Sequence, residues 1–151
     1  MWLNKYNIRE CLFLLFIFII IDNLYTFLFS EIIVFISNNP YIFSGNEKEI
    51  NNSFLLIVFL VPFIETLFFQ FFIIWFLYQT TENYKISILA SALSFSLLHY
   101  FNIYYIIATF GSGLLLAILF VLAYKKSQNW AVSFLFTFLL HFEHNFIAYY
   151  Y

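Results

Sequence analysis

Phe54 to Tyr78 reads FLLIVFLVPFIETLFFQFFIIWFLY. It carries one charge, Glu65, and exceeds the about 20 apolar residues that cross a hydrocarbon core as a helix. A small soluble domain keeps much of its surface in water and has nowhere to hide such a run. Composition extends the point to the whole chain, which is 64% hydrophobic and 9% charged. Soluble domains carry roughly 25% charged residues. The fold class is therefore all-α, a polytopic transmembrane helix bundle. Its 151 residues suit one integral membrane domain, 1–151.

Working outward, four more apolar runs appear, so about five spans are expected. They cover roughly residues 11–29, 54–78, 86–101, 105–124 and 130–151, the third being the shortest. Between the first two lies a more polar stretch, Glu31 to Asn52, with room for a short interfacial helix (IIVFI) and then a loop. Lys5 and Arg9 precede the first run as in a signal peptide, but no small-residue cleavage site follows it. It reads as a retained span or signal anchor. Cys11, the sole cysteine, excludes an internal disulfide and reads as a packing or lipid-facing thiol.

Positive charge clusters on the cytoplasmic side of membrane proteins. With five spans and an inside amino terminus, Lys5, Arg9, Lys85, Lys125 and Lys126 all fall on that side, and only Lys48 does not. The expected placement is the bacterial inner membrane, carboxyl terminus outside. Ala90 with Ser94, and Gly113 with Ala117, are small residues at the spacing that lets helices approach closely in lipid. The net charge of −2 is uninformative, and no basic stretch suggests a nucleic-acid partner.

Ionisable groups within a span are costly, so they point to function. Here they are Asp22, Glu65, His99, His141, Glu143 and His144. Pro62, three residues before Glu65, removes a backbone hydrogen bond and is expected to free a carbonyl near Val58. Thr66 and Gln70 are four apart and share a face close to that of Glu65. Phe95 precedes His99 by one turn. His141 and Asn145 also project together, and His144 borders their face. Glu143 points nearly opposite, toward another helix or the interface. Asp22 lies nearer the outer end of its span and reads as structural or snorkelling.

Depth brings three of these together. At about 1.5 Å per residue, Glu65 lies roughly 17 Å from the outer end of its helix. His99 lies roughly 20 Å, and His141 roughly 17 Å, from the inner ends of theirs. In a core about 30 Å thick, all three share a mid-membrane layer.

At this point the residues resemble a known family, the CPBP intramembrane peptidases, also called Abi or CAAX-protease-like. Its pattern is Glu-Glu-x-x-x-Arg, then Phe-x-x-x-His, then His-x-x-x-Asn or Asp, each on its own helix. The corresponding segments are Glu65-Thr66-Leu67-Phe68-Phe69-Gln70, Phe95-Ser96-Leu97-Leu98-His99 and His141-Phe142-Glu143-His144-Asn145. The CPBP-like core covers roughly residues 53–148. Thr66 stands where the pattern has its second Glu, and Gln70 where it has Arg. At this spacing the two side chains suit a neutral hydrogen bond in place of an ion pair.

The resemblance implies an intramembrane glutamic endopeptidase that needs no metal or other cofactor. Glu65, helped by His99, would activate water. His141 and Asn145 would donate hydrogen bonds to the oxyanion, with Thr66, Gln70, Phe95 and His144 in support. The implied partners are membrane lipid and a membrane-associated or lipidated peptide or protein substrate, with a homodimer left open. Two other readings stand beside it. Glu65, His99 and His141 suit a three-ligand zinc site of a membrane hydrolase. The departures at Thr66 and Gln70 suit an inactive accessory or bacteriocin-immunity-type protein.

Overall fold

The computed structural model describes residues 5–39 and 53–150. Five helices make up this part: α1 (Lys5–Ser37), α2 (Leu55–Thr81), α3 (Tyr84–Leu98), α4 (Ile103–Ser127) and α5 (Trp130–Tyr150). Four are long and apolar enough to cross a membrane, and α3 is a shorter apolar helix. This is the expected all-α bundle, with altered boundaries. The loop expected over 40–52, with Lys48, lies outside the described residues, as does Tyr151.

The first helix is longer than its expected span. IIVFI is no separate interfacial helix but the last turns of α1, because no breaker interrupts the run between Phe29 and Ser37. Asn38 then leaves the helix at φ 51°, a left-handed conformation that asparagine tolerates at helix ends. Asparagine also opens helices. The Asn83 carboxamide accepts from Lys85 N at 2.9 Å, that of Asn102 from Tyr105 N at 2.8 Å, and that of Asn129 from Ala131 N at 2.9 Å. Each satisfies a backbone donor that the first turn leaves unpaired.

The third helix is shorter than expected. Its 15 residues span about 22 Å, less than a hydrocarbon core, and the backbone turns at His99 instead of running on to Phe101.

The fourth helix is the hub and packs against the other four. It approaches α3 closely, where a Cβ on Gly113 would meet Phe95 at 3.0 Å and the Ala92 backbone at 3.3 Å. Gly113 and Ala117 are buried as expected. On α3, however, the buried small residues are Ser87, Ser91, Ala92 and Ser96, while Ala90 and Ser94 are only half-buried. The α2–α5 seam is aromatic. Phe59 meets Phe138 edge-on at 5.3 Å, and Phe63 meets Phe134 at 5.3 Å. Each such pair contributes about 0.5–1.5 kcal/mol beyond area burial, which counts in lipid, where no hydrophobic effect drives helices together. Large apolar side chains cover the outside, Phe35 being 87% exposed. This is the surface a bilayer solvates.

Helix α2 departs from α geometry twice. Leu55–Leu60 and Thr66–Ile73 are π-helical, on either side of Val61–Glu65. In a regular α-helix, residues four apart drift by about 40° per step. Here the wider turns cancel that drift, and Val58, Pro62, Thr66, Gln70 and Ile74 are all fully buried on one face.

Candidate active site

Glu65, on α2, reaches both histidines. Its Oε2 lies 3.4 Å from His141 Nε2 and its Oε1 lies 3.9 Å from His99 Nε2. The expected convergence of the second, third and fifth helices on one layer is present. The three side chains line a cavity of about 120 Å³, room for several water molecules.

The ring partners set what each histidine presents to the cavity. His99 follows the last residue of α3, and its Nδ1 lies 2.8 Å from the Phe95 carbonyl. A carbonyl only accepts, so Nδ1 carries the proton and a neutral ring turns an Nε2 lone pair toward Glu65. Phe95 also packs against both imidazoles, at 4.6 Å from His99 and 5.5 Å from His141. His141 has the opposite arrangement. Its Nδ1 lies 3.1 Å from Thr66 Oγ1, and its Nε2 faces the carboxylate. With Glu65 ionised the carboxylate only accepts, so the tautomer that fits both neighbours has its proton on Nε2, facing Glu65, and lets the Thr66 hydroxyl donate to Nδ1. One imidazole thus offers the chamber an acceptor and the other a donor.

The expected Thr66–Gln70 hydrogen bond is absent. Thr66 turns to His141 instead, and the buried Gln70 amide has no hydrogen-bond partner at either end. The two side chains share the buried face of α2, and the Thr66 hydroxyl is taken by the imidazole on α5.

Asn145 lines the cavity, and its Nδ2 donates to the Ile57 carbonyl at 3.1 Å. This is the carbonyl, next to Val58, that Pro62 leaves without an N–H. In the π register Val61 N reaches back five residues to Leu56 O, so residue 62 would reach Ile57, and proline has no N–H to do so.

Of the two expectations for Asp22, snorkelling falls away. Asp22 is buried, lies 2.7 Å from His144 Nδ1, and lines the same cavity. Next to this pair, Asn23 donates to Glu143 at 2.9 Å, so Glu143 does turn to another helix. Cys11 packs inside, its thiol 3.8 Å from the Ala123 carbonyl. Sequence reasoning missed the α4 wall, where Tyr105, Thr109, Ser112 and Leu116 line the cavity. Their 4-3-4 spacing is a helical face, and Thr109 with Ser112 on an apolar helix was the available signal. Among the described residues, no three His, Cys, Asp or Glu side chains are grouped to hold a metal ion.

Fold and site together define a polytopic helical membrane protein with a glutamate and two imidazoles in a polar chamber between its helices. Residues 50–147 match the family model described as type II CAAX prenyl endopeptidase Rce1-like. The chain belongs to that family, in agreement with the resemblance carried by its three motifs. No curated protein and no solved structure matches the chain. The family is one of proteases, which implies a peptide or protein substrate and a membrane setting.

Proposed function

We propose that this chain is an intramembrane endopeptidase that cleaves a membrane-associated or lipidated peptide with water activated between Glu65 and His99. The observation that carries this reading is the 3.9 Å separation of Glu65 Oε1 from His99 Nε2. That is too long for a direct hydrogen bond, and both atoms are acceptors. A water with two protons satisfies both. Its oxygen is then held between two bases, the arrangement that general-base attack on a carbonyl needs.

His141 Nε2–H, opposite His99, supplies a donor to the oxyanion that forms. Asn145 keeps a second amide N–H to act beside it. Donors fixed in a water-poor site stabilise developing charge more than they would in water. No cofactor takes part in this reading. The chain acts as a single domain, 1–151, in the bacterial inner membrane with its amino terminus cytoplasmic. The Lys126–Glu10 ion pair at 2.7 Å and Lys125 over the Tyr84 ring at 4.8 Å support that orientation. They gather the basic ends of α1, α3 and α4 on one side.

The test is a peptide-library cleavage assay in detergent with wild type, Glu65→Gln and His99→Ala, with and without chelator. Cleavage lost in both variants and unaffected by chelator supports the glutamate mechanism. Cleavage lost in both variants and also lost with chelator supports the zinc reading. No cleavage by folded wild type supports the inactive accessory reading, which the unpartnered Gln70 amide favours.

A further inference from the structure

The family match begins at residue 50, yet one wall of the cavity comes from before it. Asp22 on α1 and His144 on α5 both line the chamber that holds Glu65, His99 and His141. The Asp22 side chain is 4% exposed and that of His144 27%. Their 2.7 Å contact is at the short end for a charge-assisted hydrogen bond. Joining α1 to α5 does not by itself account for it, because Asn23 and Glu143, the adjacent residues on the same two helices, already make a cross-helix bond at 2.9 Å.

A carboxylate accepts only, so the His144 proton on that side sits on Nδ1. Proton exchange with the chamber then falls to Nε2. A carboxylate on Nδ1 orients an imidazole and stabilises its protonated form. This is what a proton donor needs, and the proposed mechanism has a role for one. Glu65 and His99 take a proton from water, but a peptide amine leaves only when it gains one.

We propose that His144, positioned by Asp22, protonates the leaving amine. The proposal rests on the peptidase reading above and adds a catalytic residue to it. Water oxygen bonds to the carbonyl carbon and one water proton passes to Glu65. The C–N bond then breaks, its electron pair stays on nitrogen, and nitrogen takes the Nε2 proton of His144. The proton on Glu65 returns through chamber water to His144, which restores both groups. One water is consumed, and one acid and one amine are released.

The test compares a peptide that wild type cleaves with its thioester analogue at the same bond, because a thiolate leaves without a proton. General acid catalysis is worth roughly 100-fold or more, so His144→Gln and Asp22→Asn are expected to lose about that much kcat on the peptide. On the thioester the loss is expected to stay within about threefold, with KM little changed on either substrate. Asp22→Glu is expected to recover peptide cleavage. Glu65→Gln is expected to abolish both reactions. Equal losses on both substrates, or none on either, overturn the proposal while leaving the peptidase reading intact. Folded wild type with no Glu65-dependent cleavage overturns the peptidase reading itself. Nitrogen-15 shifts of the His144 ring give a readout without turnover. Protonation at Nδ1 in wild type, lost in Asp22→Asn, supports the pair, and a ring protonated at Nε2 alone overturns it.

Discussion

The Asn145 carboxamide donates to the Ile57 carbonyl at 3.1 Å, taking the place of the N–H that Pro62 lacks. A helix proline and a family-motif asparagine are thus two halves of one arrangement, joining α2 to α5 beside the chamber. Asn145→Ala is expected to leave a part-buried carbonyl unpaired, at about 1–3 kcal/mol. Pro62→Ala restores an N–H at residue 62. In that background Asn145→Ala is expected to lose clearly less stability, as measured by denaturant unfolding in micelles. Additive losses would show that the two residues are not coupled.

Thr66 occupies the position of the second motif glutamate, and its hydroxyl contacts His141 Nδ1. Thr66→Val keeps the shape and removes the donor. The fold is expected to survive while kcat falls about tenfold or more, since a misplaced imidazole proton removes an interaction made in the transition state. Thr66→Ser is expected to retain most activity. Equal rates in all three proteins would show that Thr66 does not govern His141.

Gln70 is fully buried, and neither end of its amide has a partner among the described residues. An unpaired buried amide destabilises by about 1–3 kcal/mol. Gln70→Leu, of similar volume, is expected to leave thermal stability unchanged or raise it. A marked fall in Tm would mean that the amide has a partner in the folded protein.

Gly111 sits against Tyr25, where an added Cβ would meet the phenol oxygen at 2.0 Å and ring carbon Cζ at 2.3 Å. The same phenol donates to the Ala108 carbonyl at 3.0 Å. Gly111→Ala is expected to swing the Tyr25 phenol aside and break its bond to Ala108, at about 0.5–1.5 kcal/mol. Tyr25→Ala removes the obstacle, so Gly111→Ala is expected to have much less effect there. Unfolding of both single variants and the double variant checks the coupling.

Much of the site was legible because its first two layers of information are local. Glu65, His99, His141 and Asn145 stood out as polar residues in apolar runs, and rise per residue alone put the first three at one depth. Their neighbours were less legible. Thr66 and Gln70 do share a face of α2, but the nearer partner for Thr66 is His141, 75 residues away on another helix. Asp22 was read from its position along one helix, whereas its partner lies 122 residues away.

The sequence by itself determined the membrane as solvent, the helical class, the approximate spans and the family, because hydropathy and motif spacing are carried by the chain in order. Tertiary structure alone decided which groups face each ring nitrogen, which carbonyl Asn145 covers, and that α1 closes the chamber with Asp22. Those outcomes depend on helix register and on partners brought in from distant helices. A one-residue widening of a turn or a shift of one neighbour changes them without changing hydropathy at all.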